Sequence, residues 1–454
     1  MNRGTRNSLK ISGTLARGAA ALCLLSISWI GQSSAQDSPQ KEPSREDKSM
    51  GVTLSELEQM ALSSHPALAQ AAAGIRAAEG RKQQAGLYPN PTVGYQGEQI
   101  RGGIQGGGEQ GFFVAQDIVL GGKLGLNRQV AEQDRKLAEV DAESQRQVVL
   151  NRVRISYYHA LASQQMVELR GKLSGLAQDA VTTTQQLGNV GQADQPDLLQ
   201  AEVESDEAEL AMVEAEQNQK RAWTELATAV GRPAMPMQHL AGDLMQLPQG
   251  TSDQWLRAIL DQSPELEMIR ISQAKAEAEL ARSRKQSVPD LQLRGGLEQN
   301  FETNETTGRP LGLQGFAEAG VRIPIFDRNQ GNVSAARAEV ERARLEVERV
   351  QLSLRQRAAA PIENYETAMA AVARYRDRMI PHAQQAYDLY RTRYHQMAAA
   401  YPHVLIAQRT LFQLQANYII ALETLWRNAV VLQGFLLTDS AMSGEMSVVR
   451  GNGR

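Results

Sequence analysis

Cysteine is almost absent: Cys23 is the single one in 454 residues. No disulfide framework and no cysteine metal site can therefore be built. Aromatic residues make up only 5 % of the chain. That is thin for a large globular core and suits narrow helical seams filled by Ala, Leu and Val. After residue 35 no uncharged apolar run is long enough to form a membrane-spanning helix. The histidines His65, His159, His239, His382, His395 and His403 are scattered, and none falls in a close ligand spacing such as HExxH. Positive charge is not in excess, since the formal net charge is -3, which gives no support to nucleic-acid binding. No catalytic constellation, resident metal or cofactor motif emerges, so the chain is not expected to be an enzyme.

What is present begins with an export signal. Arg3, Arg6, Lys10 and Arg17 precede a short apolar stretch from Gly18 to Ile30, and Ser33-Ser34-Ala35 supplies small residues for cleavage. Residues 1–35 are expected to leave, taking Cys23 with them. Leu22 stands where a lipoprotein signal wants a small residue, so no lipid is expected on Cys23. The mature chain would begin at Gln36, and residues 36–50 are polar and charged, the composition of a disordered leader.

A Gly-rich run, GYQGEQIRGGIQGGGEQGFF, starts at Gly94 in a chain otherwise rich in Ala, Glu, Gln, Leu and Arg. It fits a linker, a phosphate cradle or a turn between strands. The phosphate reading fails: Gly122-Lys123 is followed by Leu124, not by the Ser or Thr that a P-loop needs for magnesium.

The chain repeats itself. Ser64-His65-Pro66-Ala67-Leu68 recurs as Gln262-Ser263-Pro264-Glu265-Leu266, Pro91 as Pro289, Tyr158 as Tyr365, and Trp223 as Trp426, each Trp followed eight residues later by Gly231 or Gly434. Same-order matches at nearly constant offset mark an internal duplication. The first repeat is set at 51–245 and the second at 246–438, with a flexible tail at 439–454. Each half reads as helix, strand hairpin, very long helix, break and long helix. In the first half the helix spans Leu54 to Gln84, capped by Thr53 with Glu56; the hairpin is 92–119 and the long helical hairpin 123–230. The counterparts are 290–323 and 330–437. On the returning helix Leu199, Val203, Leu210 and Val213 recur at helical spacing, a seam for partner helices.

The strands alternate sharply. Leu291, Leu293 and Leu297 alternate with Gln292, Arg294 and Glu298; Leu311, Leu313, Val321 and Ile323 alternate with Gln314, Glu318 and Arg322. Such strands either face lipid on one side and a water-filled lumen on the other, or are half buried in a soluble sheet. Closure favours the membrane. Four strands are too few for a barrel with a lumen, and open edges cannot face lipid, so several chains must share one barrel; three would give twelve strands. The Gly-rich run is then the exposed loop of a membrane hairpin. Leu291, Leu293, Leu297, Leu313 and Val321 are the expected lipid-facing residues.

With these features in place the sequence resembles the TolC-type outer-membrane efflux family over about Val52 to Leu437. Tyr88-Pro89-Asn90-Pro91, Leu120-Gly121-Gly122-Lys123 and Ile323-Pro324-Ile325-Phe326 carry the resemblance. The Pro-Asn-Pro and Leu-Gly-Gly-Lys forms are most similar to the heavy-metal branch, the CzcC/CusC-like exit ducts. The resemblance implies a mostly α protein with a membrane β-barrel part: a homotrimer whose twelve-stranded barrel lies in outer-membrane lipid and continues as a twelve-helix barrel across the periplasm. It implies an inner-membrane proton-driven pump and a periplasmic adaptor (membrane fusion protein) as partners, and heavy-metal cations as cargo. It also implies that the helical hairpin tips, near 188–197 and 395–403, form the periplasmic mouth. Asp194, Asp197, Tyr394 and His403 are the gate candidates, with Tyr394 donating to Asp197 as a lock. The second tip has Met397, His403 and Ile406 where relatives have Gly and acidic positions, so an acidic ring is not expected there. Met235 and Met237, around Pro236, are expected to pack in a turn rather than bind a soft metal. The same duct serving drug or protein export, and a periplasmic coiled-coil adaptor, are the competing readings. An adaptor would show one helical hairpin between soluble β modules.

Overall fold

The computed structural model describes residues 51–100, 108–191, 193–303, 308–396 and 401–438. The expected signal (1–35), leader (36–50) and tail (439–454) lie outside the described residues, as do most of the two strand-hairpin loops and Met397.

The chain opens with α1 (Leu54–Ser64), whose start is capped as its sequence foretells: the Thr53 N–H donates to Glu56 Oε2 at 2.9 Å, and Thr53 Oγ1 accepts from the Glu56 N–H at 3.3 Å. The single helix expected from Leu54 to Gln84 is in fact two. Pro66 has no N–H to continue the ladder, and His65 turns to extended backbone (ψ 124°), so α2 (Pro66–Ala85) starts afresh. The second half breaks at the matching place, between α5 (Ser252–Gln262) and α6 (Pro264–Lys285), where Ser263 Oγ accepts from the Leu266 N–H. The repeated Ser-Pro or His-Pro pair is thus a helix junction.

Four strands follow in two hairpins: β1 (Thr92–Glu98) with β2 (Glu109–Ile118), and β3 (Leu291–Thr303) with β4 (Pro310–Val321). All pairs are antiparallel, in the order β1-β2-β3-β4, so the two hairpins lie side by side through β2 and β3.

Each hairpin is followed by a left-handed corner into a long helix. Gly121 and Gly122 (φ 70° and 72°) lead into α3 (Lys123–Asn189); Asn329 (φ 61°) leads into α7 (Gln330–Arg374). Gly and Asn tolerate this region best. Gly121 also lies against Val288, which an added Cβ would meet at 2.9 Å. The corner is pinned to the neighbouring strand by Asp290, which accepts from the Leu120 N–H and from Lys123 Nζ, both at 2.9 Å. This is the physical content of the Leu-Gly-Gly-Lys motif.

At 67 residues α3 is roughly 100 Å long. It turns near Gly191 (φ 71°) into α4 (Gln195–Ala229). The second half has no unbroken counterpart. A π-helical turn, Tyr375–Met379, separates α7 from α8 (Ile380–His395), and α9 (Tyr401–Gln433) returns. The Ile380 N–H bonds the Tyr375 carbonyl five residues back, and Pro381 follows with no donor of its own.

The core sits at the waist, where α1, α3, α4, α5, α7 and α9 pack around Leu57, Leu161, Leu226, Ile259, Leu354 and Leu422. The repeated aromatic residues meet here: Tyr158 stacks on Trp426 at 4.1 Å, and Trp255 meets the edge of Tyr365 at 4.9 Å. The linker after α4 is tied to the same region by three bonds to its carbonyls, from Trp223 to Met235, from Tyr157 to Ala241 and from Trp426 to Leu244. Met235 packs against the core and Met237 is exposed, so the two sulfurs do not converge. Buried Asn151 holds the turn after α9, donating to the carbonyls of Gly434 and Leu437, both at 3.0 Å.

Along α4 the buried residues include Ala201, Ala208, Ala215 and Ala222, one every seven. Leu199, Val203, Leu210 and Val213, the seam expected for partner helices, are exposed. Away from Trp223 and Leu226 at the waist, the close contact of α4 within the chain is made by alanine, and these four larger apolar side chains are left uncovered.

Candidate functional site

The sheet has two distinct faces. Register places Leu291, Leu293, Leu297, Leu313 and Val321 on one face, joined by Val93, Tyr95, Phe112 and Val114. All but Leu291 are exposed. Charge is confined to the other face, which carries Glu98, Glu109, Asp117, Arg294, Glu298 and Glu318. Two apolar residues break its pattern. Phe113 and Phe316 lie in one register row, on either side of Gly296. Alternation along a single strand could not reveal this row, because it arises from the pairing of three strands.

Arg294 reaches between those rings. Its guanidinium carbon is 4.2 Å from the Phe113 centroid and 5.6 Å from that of Phe316. It donates to Gln96 and faces Glu318 at 3.7 Å. Missing side chains make the space: a Cβ on Gly94 would meet the Phe113 ring at 2.5 Å, and one on Gly296 the Phe316 ring at 2.8 Å.

At the far end of the helices lie the four gate candidates. Asp194 and Asp197 cap α4, the Asp194 N–H reaching Asp197 Oδ2 at 3.4 Å. Asp197 also lies within electrostatic reach of Tyr394: burial and then the Asp197 carboxylate push the Tyr394 phenol above its usual pKa. His403 is elsewhere, stacked on Tyr390 across the α8–α9 pair with ring centroids 5.7 Å apart. The structure therefore pairs Asp194 with Asp197, sets Asp197 within electrostatic reach of Tyr394, and places His403 on Tyr390, one turn along α8 from Tyr394.

Sequence reasoning missed the strongest link between the two helical hairpins. Arg409 of α9 grips Glu204 of α4, with Nε 2.8 Å from Oε2 and Nη2 2.5 Å from Oε1, and also reaches Glu207 at 3.0 Å. Glu204 is 9 % exposed. A two-pronged guanidinium–carboxylate pair at a half-dry helix seam is among the stronger polar contacts. Its partners are about 200 residues apart, so no local pattern announces it. A groove of about 600 Å³ lies beside it, between α3, α4 and α9.

At the waist His159 Nδ1–H donates to Glu423 at 2.9 Å, and Nε2 lies 4.0 Å from Glu225. The Glu423 hydrogen bond raises the imidazole pKa above its ordinary value, against burial. Among the described residues no group of His, Cys, Asp and Glu is arranged to hold a metal ion, and no helix is long and apolar enough to cross a membrane.

The model of the family "Outer membrane efflux protein" matches residues 57–232 and again 255–434. The cobalt-zinc-cadmium resistance protein CzcC of Cupriavidus metallidurans is 26 % identical over 385 residues, 85 % of this chain and 90 % of that protein. Two solved structures share the fold: the transmembrane channel CusC at TM-score 0.69, 17 % identical over 84 % of this chain and 91 % of its own, and the outer membrane protein VceC of Vibrio cholerae at 0.67, 16 % identical over 84 % and 95 %.

Proposed function

The chain belongs to the outer membrane efflux protein family, and on that premise we propose that it is the exit duct of a tripartite pump that expels heavy-metal cations. Three copies would combine their four-stranded sheets into one twelve-stranded barrel in the outer membrane. Their long helices would continue the passage through the periplasm as a twelve-helix barrel, reached after export by a cleaved signal. The observation that carries this reading is the sheet, with all its charge on one face and Leu, Val, Tyr and Phe on the other. Only lipid outside and water inside suit both faces of such a sheet, and its edge strands β1 and β4 can be satisfied there only by other copies. The uncovered stripe Leu199, Val203, Leu210 and Val213 would likewise meet a neighbouring copy.

Metal cations are the proposed cargo because the relative matched over most of its length is a cobalt-zinc-cadmium resistance protein. An acid-lined lumen suits a cation that must pass without being held. A periplasmic adaptor would meet the hairpin tips, and an inner-membrane pump would supply the drive. Closure at the mouth would rest on Asp197 with Tyr394 and on Arg409 with Glu204, a shut state that an adaptor releases by binding the open one better.

Deletion of the gene tests the cargo. Cells should become sensitive to divalent cobalt, zinc or cadmium while resistance to dyes and detergents is unchanged. The reverse pattern would make it a drug duct.

A further inference from the structure

Of the charged residues in the four strands, six are carboxylates and one is a guanidinium, that of Arg294. An unneeded positive charge on this face would be free to reach into water on its long stem. Arg294 instead lies between Phe113 and Phe316, over the gap left by Gly296, and is held by Gln96 and Glu318. Its Nε is buried with no hydrogen-bond partner. A charge so fixed has a constant position in the passage.

That position is intermediate. In the register Arg294 lies opposite Ala115 and Glu318, with Asp117 nearer the helices and Glu98, Glu109 and Glu298 nearer the hairpin loops. Because Glu318 stands in the same row as Arg294, the charge along the face runs negative, balanced, negative. A continuous acid lining would concentrate cations, and it would also detain them. Conduction needs binding weak enough for departure.

We infer that Arg294, clamped by Phe113 and Phe316, sets the charge selectivity of the barrel: its three copies hold fixed guanidinium charges that neutralise the Glu318 layer, divide the acidic lumen and lower its preference for cations. The inference rests on the proposed shared barrel. A cation would cross from one acidic layer to the next without a long stay, and small anions would gain a path.

The test is the reversal potential of the purified full-length protein in planar bilayers under a potassium chloride gradient. Arg294→Gln should raise the cation-to-anion permeability ratio about two- to fivefold. Arg294→Lys, which keeps the charge, should stay near wild type. Glu318→Gln, which removes the nearest counter-charge, should move the ratio the other way. An unchanged reversal potential in Arg294→Gln and Glu318→Gln channels would overturn the inference while leaving the duct intact. Failure of the wild-type protein to conduct at all would instead overturn the duct reading itself. Should Arg294→Gln fail to assemble, the Glu318→Gln shift decides alone.

Discussion

The two halves of the chain use the same plan with different parts. Both have a helix junction at proline, a strand hairpin and a left-handed corner, and Gly122 and Asn329 occupy that corner at the same repeat offset. The sheet is where they agree most: Phe112 of the first half faces Leu297 of the second in one register row, and both are exposed on the apolar face. The helices differ. The first half runs 67 residues without interruption, whereas the second is divided by a π-turn ahead of Pro381. In the proposed barrel lipid would constrain both hairpins equally and keep their strands alike, whereas each helical hairpin would be free to take its own form.

That comparison can be broken most decisively at the sheet. Phe112→Arg and Leu297→Arg should each impair assembly by about 2–4 kcal/mol near the midplane, while Gln292→Arg on the charged face is tolerated. Yield of detergent-stable oligomer measures this. Unequal losses at Phe112 and Leu297 would mean that the two hairpins do not share one environment.

The corners come next. Gly121→Val places a β-branched residue at positive φ and against Val288, and should cost about 1–3 kcal/mol. Asn329→Gly keeps the conformation but loses the bond that Asn329 Nδ2 donates to the Ser283 carbonyl at 2.8 Å, and should cost about 0.5–1.5 kcal/mol. Thermal melts of the two variants would show whether the first corner is the more demanding one.

At the proposed mouth, Arg409→Ala would leave Glu204 with Gln200 as its remaining partner and should weaken the shut state by about 1–2 kcal/mol. Tyr394→Phe, which removes one phenol near Asp197, should do less. Single-channel conductance should rise in both, more in the first. The opposite order would give the tips, rather than the seam, control of closure.

The smallest effect lies at the waist. The folded-state pKa of His159 is raised above 6.5 by Glu423. Its contribution is therefore complete below about pH 6.5 and fades as pH rises through the raised value. Glu423 is held below its usual value, burial being outweighed by His159 and Arg427, so the pair is intact at about pH 6. His159→Gln should lower stability by about 0.5–1 kcal/mol at pH 6 and by nothing measurable at about pH 9. Denaturant melts at the two pH values measure this, and a gap that persists at pH 9 would assign His159 a packing role instead.

How much of this was legible in the sequence depends on the range of the physics. Strand faces were legible because apolar and polar side chains alternate residue by residue, as at Leu293 and Arg294. The capping box at Thr53 and Glu56 was legible for the same local reason. The junction at His65-Pro66 was visible as a repeat yet absorbed into one long helix, since its flanks are strongly helical. The alanine seam was overlooked because a methyl group is a weak apolar signal beside Leu199 and Val203, which drew attention although the chain itself leaves them bare. The Arg409–Glu204 grip and the Phe113–Arg294–Phe316 layer join residues far apart in sequence, and only the fold discloses them. Of the gate candidates, Asp197 and Tyr394, chosen for their places beside chain breaks, lie within electrostatic reach of each other, and His403, chosen on the same cue, stacks on Tyr390.

The alanine seam carries a mechanical consequence. A methyl group barely enters the hole it faces, so the seam resists separation but hardly resists sliding. Because Ala201, Ala208, Ala215 and Ala222 repeat every seven residues, a shift of about 10 Å along the axis would replace each with an identical group. What fixes the register of the pair is therefore a few contacts between the alanines: Ser205 Oγ donating to Gln178 Oε1 at 3.1 Å and Met212 lying over Gly171, with Trp223 and Leu226 anchoring the helix in the waist. Sliding of one helix along the other is opposed at those points rather than along the whole seam.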